Sequence, residues 1–146
     1  MRIGAFLLCS LLFTSVVFAQ KNTQKALSAI QQNNFGLAQS YLQKDLLKAP
    51  VAASYGWAVY YLTPFCYQAD SALAYLTSFE RSYPSLDVKA KAKLQADLLF
   101  QDTTTQHLFH QLAIKEMQLA ISAPQITALE LFMERYGQKF PDYKKI

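Results

Sequence analysis

Ala38 and Pro50 recur as Ala72 and Pro84, each pair 34 positions apart, and 34 residues is the length of a unit built from two antiparallel helices. Between those anchors, Phe35-Gly-Leu-Ala38-Gln-Ser-Tyr41-Leu42 and Asp70-Ser-Ala72-Leu-Ala-Tyr75-Leu76 keep a small residue, an aromatic and a leucine in register. The pattern has a packing logic. A small side chain lets two helices approach, the bulky pair fills the space between neighbouring hairpins, and proline stops the helix so that the chain can reverse. The second half of the unit is read a third time in Thr127-Ala128-Leu129, Leu131-Phe132 and Phe140-Pro141, with one residue inserted before the proline.

The chain begins with a different signal. Arg2 precedes an almost unbroken apolar run from Ile3 to Phe18, and Val17-Phe18-Ala19 suits cleavage after Ala19. Residues 1–19 read as a secretory signal peptide. The run is short against the ~20 residues of a membrane-spanning helix. Cys9 follows Leu8 in the middle of the run, which argues against a lipid anchor. Removing 19 residues leaves 127, enough for one domain with a core. Cys66 is then the one remaining cysteine, so stability rests on packing, and the residue reads as a small buried hydrophobe between Phe65 and Tyr67.

Helical periodicity organises the rest. A first helix through Ala26, Leu27, Ala29 and Ile30 is expected to stop near Asn33-Asn34, because asparagine tolerates the left-handed conformation. A second is expected from about Phe35 to Lys48, ended by Pro50. The third runs from Val51 to Leu62, and the fourth starts with Asp70 as its cap and reaches Ser82. A fifth starts from Asp87, a sixth covers Gln106 to Ile121, and a seventh opens at Pro124 and ends near Tyr136-Gly137. No alternating apolar pattern with paired turn signals marks a strand, so the expected class is all-α.

On these residues the chain resembles the tetratricopeptide repeat family. Phe35, Ala38, Leu42 and Pro50 match the family's second-helix pattern, and Ala72, Leu76 and Pro84 match it again, with Asp70 where an aromatic is usual. Trp57, Ala58 and Tyr61 look like the first-helix signature; carrying it over requires two extra residues near Pro64 to Tyr67, and the first unit offers Lys25-Ala26 and Ala29. The resemblance implies antiparallel hairpins stacked as a short right-handed solenoid over residues 20–146. With the signal peptide, the arrangement is similar to N-terminal regions of exported envelope proteins in Gram-negative bacteria, which implies a periplasmic or outer-membrane-associated place. The chain stops at Ile146 with no polar capping helix, which is expected either of a piece of a longer protein or of an exposed end that awaits a partner.

Function follows from what the residues do and do not assemble. Loss of Arg2 leaves a net charge of +3 on a chain whose basic residues are scattered apart from Lys89, Lys91 and Lys93. These three fan around a helix, which reads as a solvated face, with contact to an anionic envelope surface as the alternative, and does not indicate nucleic acid. His107 and His110 have the spacing of two metal ligands on one helix, but no companion ligand stands at a recognised distance, so no metal or other cofactor is expected. No nucleophile elbow, phosphate loop or paired carboxylate is present, and the expectation is a non-enzyme. Glu130, Glu134 and Arg135 read as ordinary ion pairing on an exposed face.

The informative residues are aromatic. Tyr55, Trp57, Tyr60, Tyr61, Phe65, Tyr67 and Tyr75 crowd one region. Trp57 and Tyr61 share a helix face and suit packing between helices, whereas Tyr55 and Tyr60 fall off that face and are the candidate partner-binding residues. The expected function is an exported helical-repeat adaptor for a protein or peptide. The alternative is a closed helical bundle with a small apolar or envelope-derived ligand among the surplus aromatics.

Overall fold

The computed structural model describes residues 20–98, 104–122 and 126–136. The signal-peptide reading, the opening at Pro124 and the Phe140-Pro141 terminator lie outside these residues. Everything regular among the described residues is helical. The helices are α1 (Lys21–Gln31), α2 (Phe35–Asp45), α3 (Pro50–Leu62), α4 (Ala69–Ser82), α5 (Val88–Leu98), α6 (Thr104–Ser122) and α7 (Ile126–Tyr136), with a single 3₁₀ turn, Tyr83–Ser85, after α4. They divide into two compact units, one up to Thr105 and one from Gln106 onward.

Two asparagines make the first reversal. Asn33 sits at φ 58°, and the Asn34 and Asn33 amides donate to the carbonyls of Ala29 and Ile30 at 2.8 and 2.9 Å. This pattern closes a helix through a left-handed residue. Asn34 then opens the next helix, its side-chain oxygen accepting from the Leu37 amide at 3.3 Å.

The second reversal differs from its expectation. α2 ends at Asp45, and Leu46–Lys48 form a turn, because the Lys48 and Ala49 amides both donate to the Asp45 carbonyl, at 3.1 and 2.8 Å. Pro50 is the first residue of α3 instead of the stop for α2, where its missing N–H removes no helical bond. α4 likewise starts at Ala69, with Asp70 inside the first turn. α5 is capped as expected, since Asp87 accepts from the Ala90 amide at 2.7 Å.

In the first unit α1 packs on α2 and α3 on α4, and α3 also lies against α1 and α2. That central position buries α3 all round from Ala52 to Ala58. Gly56 lets the helices close: a methyl group built there runs into Cδ2 of Leu42 on α2 and stands 3.0 Å from Cγ2 of Thr23 on α1. α5 packs against α1. In the second unit, α6 buries Phe109, Leu112 and Ala113, three and four positions apart, and α7 buries Phe132.

Candidate functional site

The aromatic region of the first unit is built on α3 and completed from both sides. Trp57 lies nearly parallel to Tyr61, one turn on, at 5.5 Å between centroids, and nearly parallel to Tyr75 of α4 at 5.8 Å. Tyr61 and Tyr75 are themselves stacked at 5.9 Å. Tyr60 stands edge-on to Trp57 and to Tyr61, and edge-on to Phe35 at the start of α2, 6.3 Å away. Phe35 in turn meets Phe65 of the α3–α4 loop at 5.6 Å. The cluster grades outward: Trp57 is buried, Tyr60, Tyr61, Tyr75 and Phe35 are half-buried, and Phe65 is 79% exposed.

The two candidate tyrosines therefore occupy different places. Tyr55 is only 7% exposed, with its ring against Phe79 at 5.6 Å. A helix enclosed by three others has no outward face on which that tyrosine could lie. Tyr60 keeps an exposed edge in the Phe35–Tyr60–Phe65 group. Its phenol is pushed up to about 12, first by a hydrogen bond with the Cys66 side chain, then by burial and by the nearby Cys66 and Tyr61 charges. Burial also raises Tyr55, and burial followed by Tyr61 raises Tyr75. Cys66 is half-buried beside an exposed Phe65, so it is less enclosed than its apolar neighbours suggested. The Trp57 indole N–H is buried without a hydrogen-bond acceptor among the described residues.

Other sequence candidates disperse. His107 and His110 are both exposed, and His107 shares a 3.0 Å hydrogen bond with Gln111. No cluster of three or more metal-ligating side chains occurs among the described residues. Lys91 donates to the Pro84 carbonyl at 2.9 Å and lies over the Tyr83 ring, while Lys93 pairs with Asp97 at 3.7 Å. Arg135 pairs with Glu116 of α6 at 3.9 Å. A shallow groove of about 500 Å³ runs along α2, lined by Gly36, Gln39, Ser40, Gln43 and Lys44.

One residue escaped the sequence reading. Asp45 is fully buried and accepts from the Thr23 backbone amide at 2.6 Å, the Thr23 hydroxyl at 2.9 Å and the Asn22 side-chain amide at 2.8 Å. It acts as the missing cap of α1, whose preceding Gln20 supplies no side-chain cap. A single acidic residue near a helix end gave no sequence signal for this role.

No protein-family model, curated protein or solved structure matches this chain.

Proposed function

We propose that this chain is an exported scaffold of tetratricopeptide-like helical hairpins that holds a protein or peptide partner in the bacterial cell envelope, without covalent chemistry. The observation that carries the reading is burial that repeats with the sequence. Ala38, Leu42 and Asp45 of α2 are buried, and so are Ala72, Leu76 and Phe79 of α4, each 34 positions later. The contacts repeat as well: Thr23 of α1 meets Asp45, and Tyr55 of α3 meets Phe79. That repetition supports two copies of one hairpin, with a polar contact in the first and an aromatic one in the second.

The partner surface proposed is the Phe35–Tyr60–Phe65 edge. Phe65 offers an aromatic ring to solvent, and Tyr60 couples apolar area to a polar tip. Export is inferred from the apolar run at Ile3–Phe18 and its Val17-Phe18-Ala19 end. No helix among the described residues is long and apolar enough to cross a membrane.

A second reading draws on one observation. α5 packs against α1, which favours a closed bundle over an open array and keeps an apolar or envelope-derived ligand as the alternative. The readings separate through a photo-cross-linking side chain at position 65, with position 39 as control, in the exported full-length chain within its own envelope. The scaffold reading expects a discrete cross-linked polypeptide from position 65 and none from position 39. No polypeptide from position 65, with a small molecule co-purifying, would overturn it.

A further inference from the structure

The first hairpin carries a charge asymmetry that the scaffold reading does not use. From Gln20 to Ala69 the charged residues are Lys21, Lys25, Lys44, Lys48 and Asp45. All four lysines are exposed, whereas Asp45 is fully buried and its oxygens are occupied by Asn22 and Thr23. The same hydrogen bonds bring the first turn of α1 beside the end of α2, so the four lysines gather at one end of the hairpin. The Lys25 and Lys44 ammoniums lie 5.6 and 5.5 Å from the centroid of the Tyr41 ring, and so no more than 11.1 Å from each other. None of the four makes an ion pair among the described residues.

Between Lys44 and Lys48 the turn presents Leu46, 37% exposed, and Leu47, 93% exposed. A leucine that open to water stands out from its surroundings, and here Lys44 and Lys48 flank it in the chain. We propose that this end of the hairpin docks on an anionic lipid bilayer, with the lysines at the headgroups and Leu47 entering the interface below them.

Several features favour a bilayer over other polyanions. Lysine acts as a flexible point charge and needs no fixed partner geometry, as a planar field of headgroups requires. Juxtamembrane lysines are attracted to anionic leaflets, and an apolar side chain reaching past them adds burial that does not depend on charge. Nucleic acid accounts for the lysines but offers no place for an exposed leucine. A protein partner would need a cavity shaped for a protruding turn, whereas a bilayer interface admits one without prior shape. The inference goes beyond the scaffold reading and stands even if that reading fails.

The test uses the protein as its host produces it, with its N-terminus read by mass. Binding is measured by co-flotation with vesicles of phosphatidylcholine alone and of an equimolar phosphatidylcholine–phosphatidylglycerol mixture. The readout is the ratio of the two affinities, so an apolar N-terminal segment, if retained, does not decide the outcome. At low salt the ratio is expected to exceed about a hundred, from roughly fivefold per lysine. Lys25→Gln/Lys44→Gln/Lys48→Gln is expected to reduce binding to the mixed vesicles about a hundredfold, and Leu47→Ser about tenfold. All four side chains are exposed, and helical circular dichroism verifies that each variant is folded. Equal affinity for both vesicles, or unchanged binding by the triple-lysine variant, would overturn the proposal. So would capture on polyglutamate beads without vesicle binding, which assigns the patch to an acidic protein.

Discussion

Asp45 and Thr23 lie 22 positions apart and are joined twice: one carboxylate oxygen accepts both the Thr23 amide and the Thr23 hydroxyl, at 2.6 and 2.9 Å. Buried carboxylates survive when donors replace the lost water. Here the replacement is the N-terminus of α1, whose free amide and positive end suit a negative charge.

Removing that acceptor is costly. Asp45→Ala leaves the Thr23 backbone amide, the Thr23 hydroxyl and the Asn22 side-chain amide without it, and is expected to lower unfolding free energy by ~3 kcal/mol. Asp45→Asn keeps the shape but loses the charge and is expected to cost less, ~1–2 kcal/mol. Urea midpoints at neutral pH check both values. Equal stability of Asp45→Ala and wild type would contradict the buried-cap assignment.

Gly56 sits where two helices close on α3. Alanine raises helix propensity by ~1 kcal/mol, but its methyl meets Leu42 and Thr23, and overpacking costs ~1–3 kcal/mol. Gly56→Ala is therefore expected to destabilise in the wild-type background. Combined with Leu42→Ala, which empties the obstructing space, it is expected to be neutral or stabilising. A double-mutant cycle by thermal unfolding reads the difference directly, and simple additivity would count against the close approach.

Alkaline pH should weaken the aromatic region. Tyr60 titrates at about 12 against the usual 10.0, and Tyr55 and Tyr75 are also raised. The fold thus favours the neutral phenols. The Tyr60 contribution is intact below pH 10 and is lost as the pH climbs through 10 toward 12; those of Tyr55 and Tyr75 are lost in the same direction. Tyrosinate absorbance and helical signal followed together should show this loss. In Cys66→Ala, which removes the first cause of the Tyr60 shift, one phenol should titrate earlier; an unchanged titration would sink the Tyr60–Cys66 pairing.

Phe65 separates stability from binding. Phe65→Ser removes an exposed ring whose principal described contact is Phe35, so a stability change under ~1 kcal/mol is expected. Cross-linking from a neighbouring position should nevertheless fall if the Phe35–Tyr60–Phe65 edge holds a partner. Full retention of cross-linking would move the partner surface elsewhere.

Much of the helical architecture was legible because spacing and turn chemistry are local. Ala38 and Leu42, then Ala72 and Leu76, are buried as their periodicity requires, and Asn33 takes the left-handed conformation that its residue type suggested. Trp57 and Tyr61 stack as residues four apart on a helix can. What escaped depended on distant partners. Tyr55 is buried because α3 is enclosed by its neighbours, a fact of assembly that one helix's pattern does not carry. Leu46 and Leu47 continue an apolar helical pattern, yet the Asp45 carbonyl turns the chain before them. Glu130 and Glu134 are nearer to Arg135 in sequence, yet Arg135 pairs with Glu116, on the preceding helix.

Asp45 also joins two pieces of backbone that are remote in sequence. Its side chain holds the Thr23 amide, and its own carbonyl holds the amides of Lys48 and Ala49. Fraying of α1 and opening of the α2–α3 turn therefore share one latch and are expected to open as a single cooperative unit. In deuterated water, the Thr23, Lys48 and Ala49 amides should lose protection together, and in Asp45→Ala the Thr23 amide should exchange first.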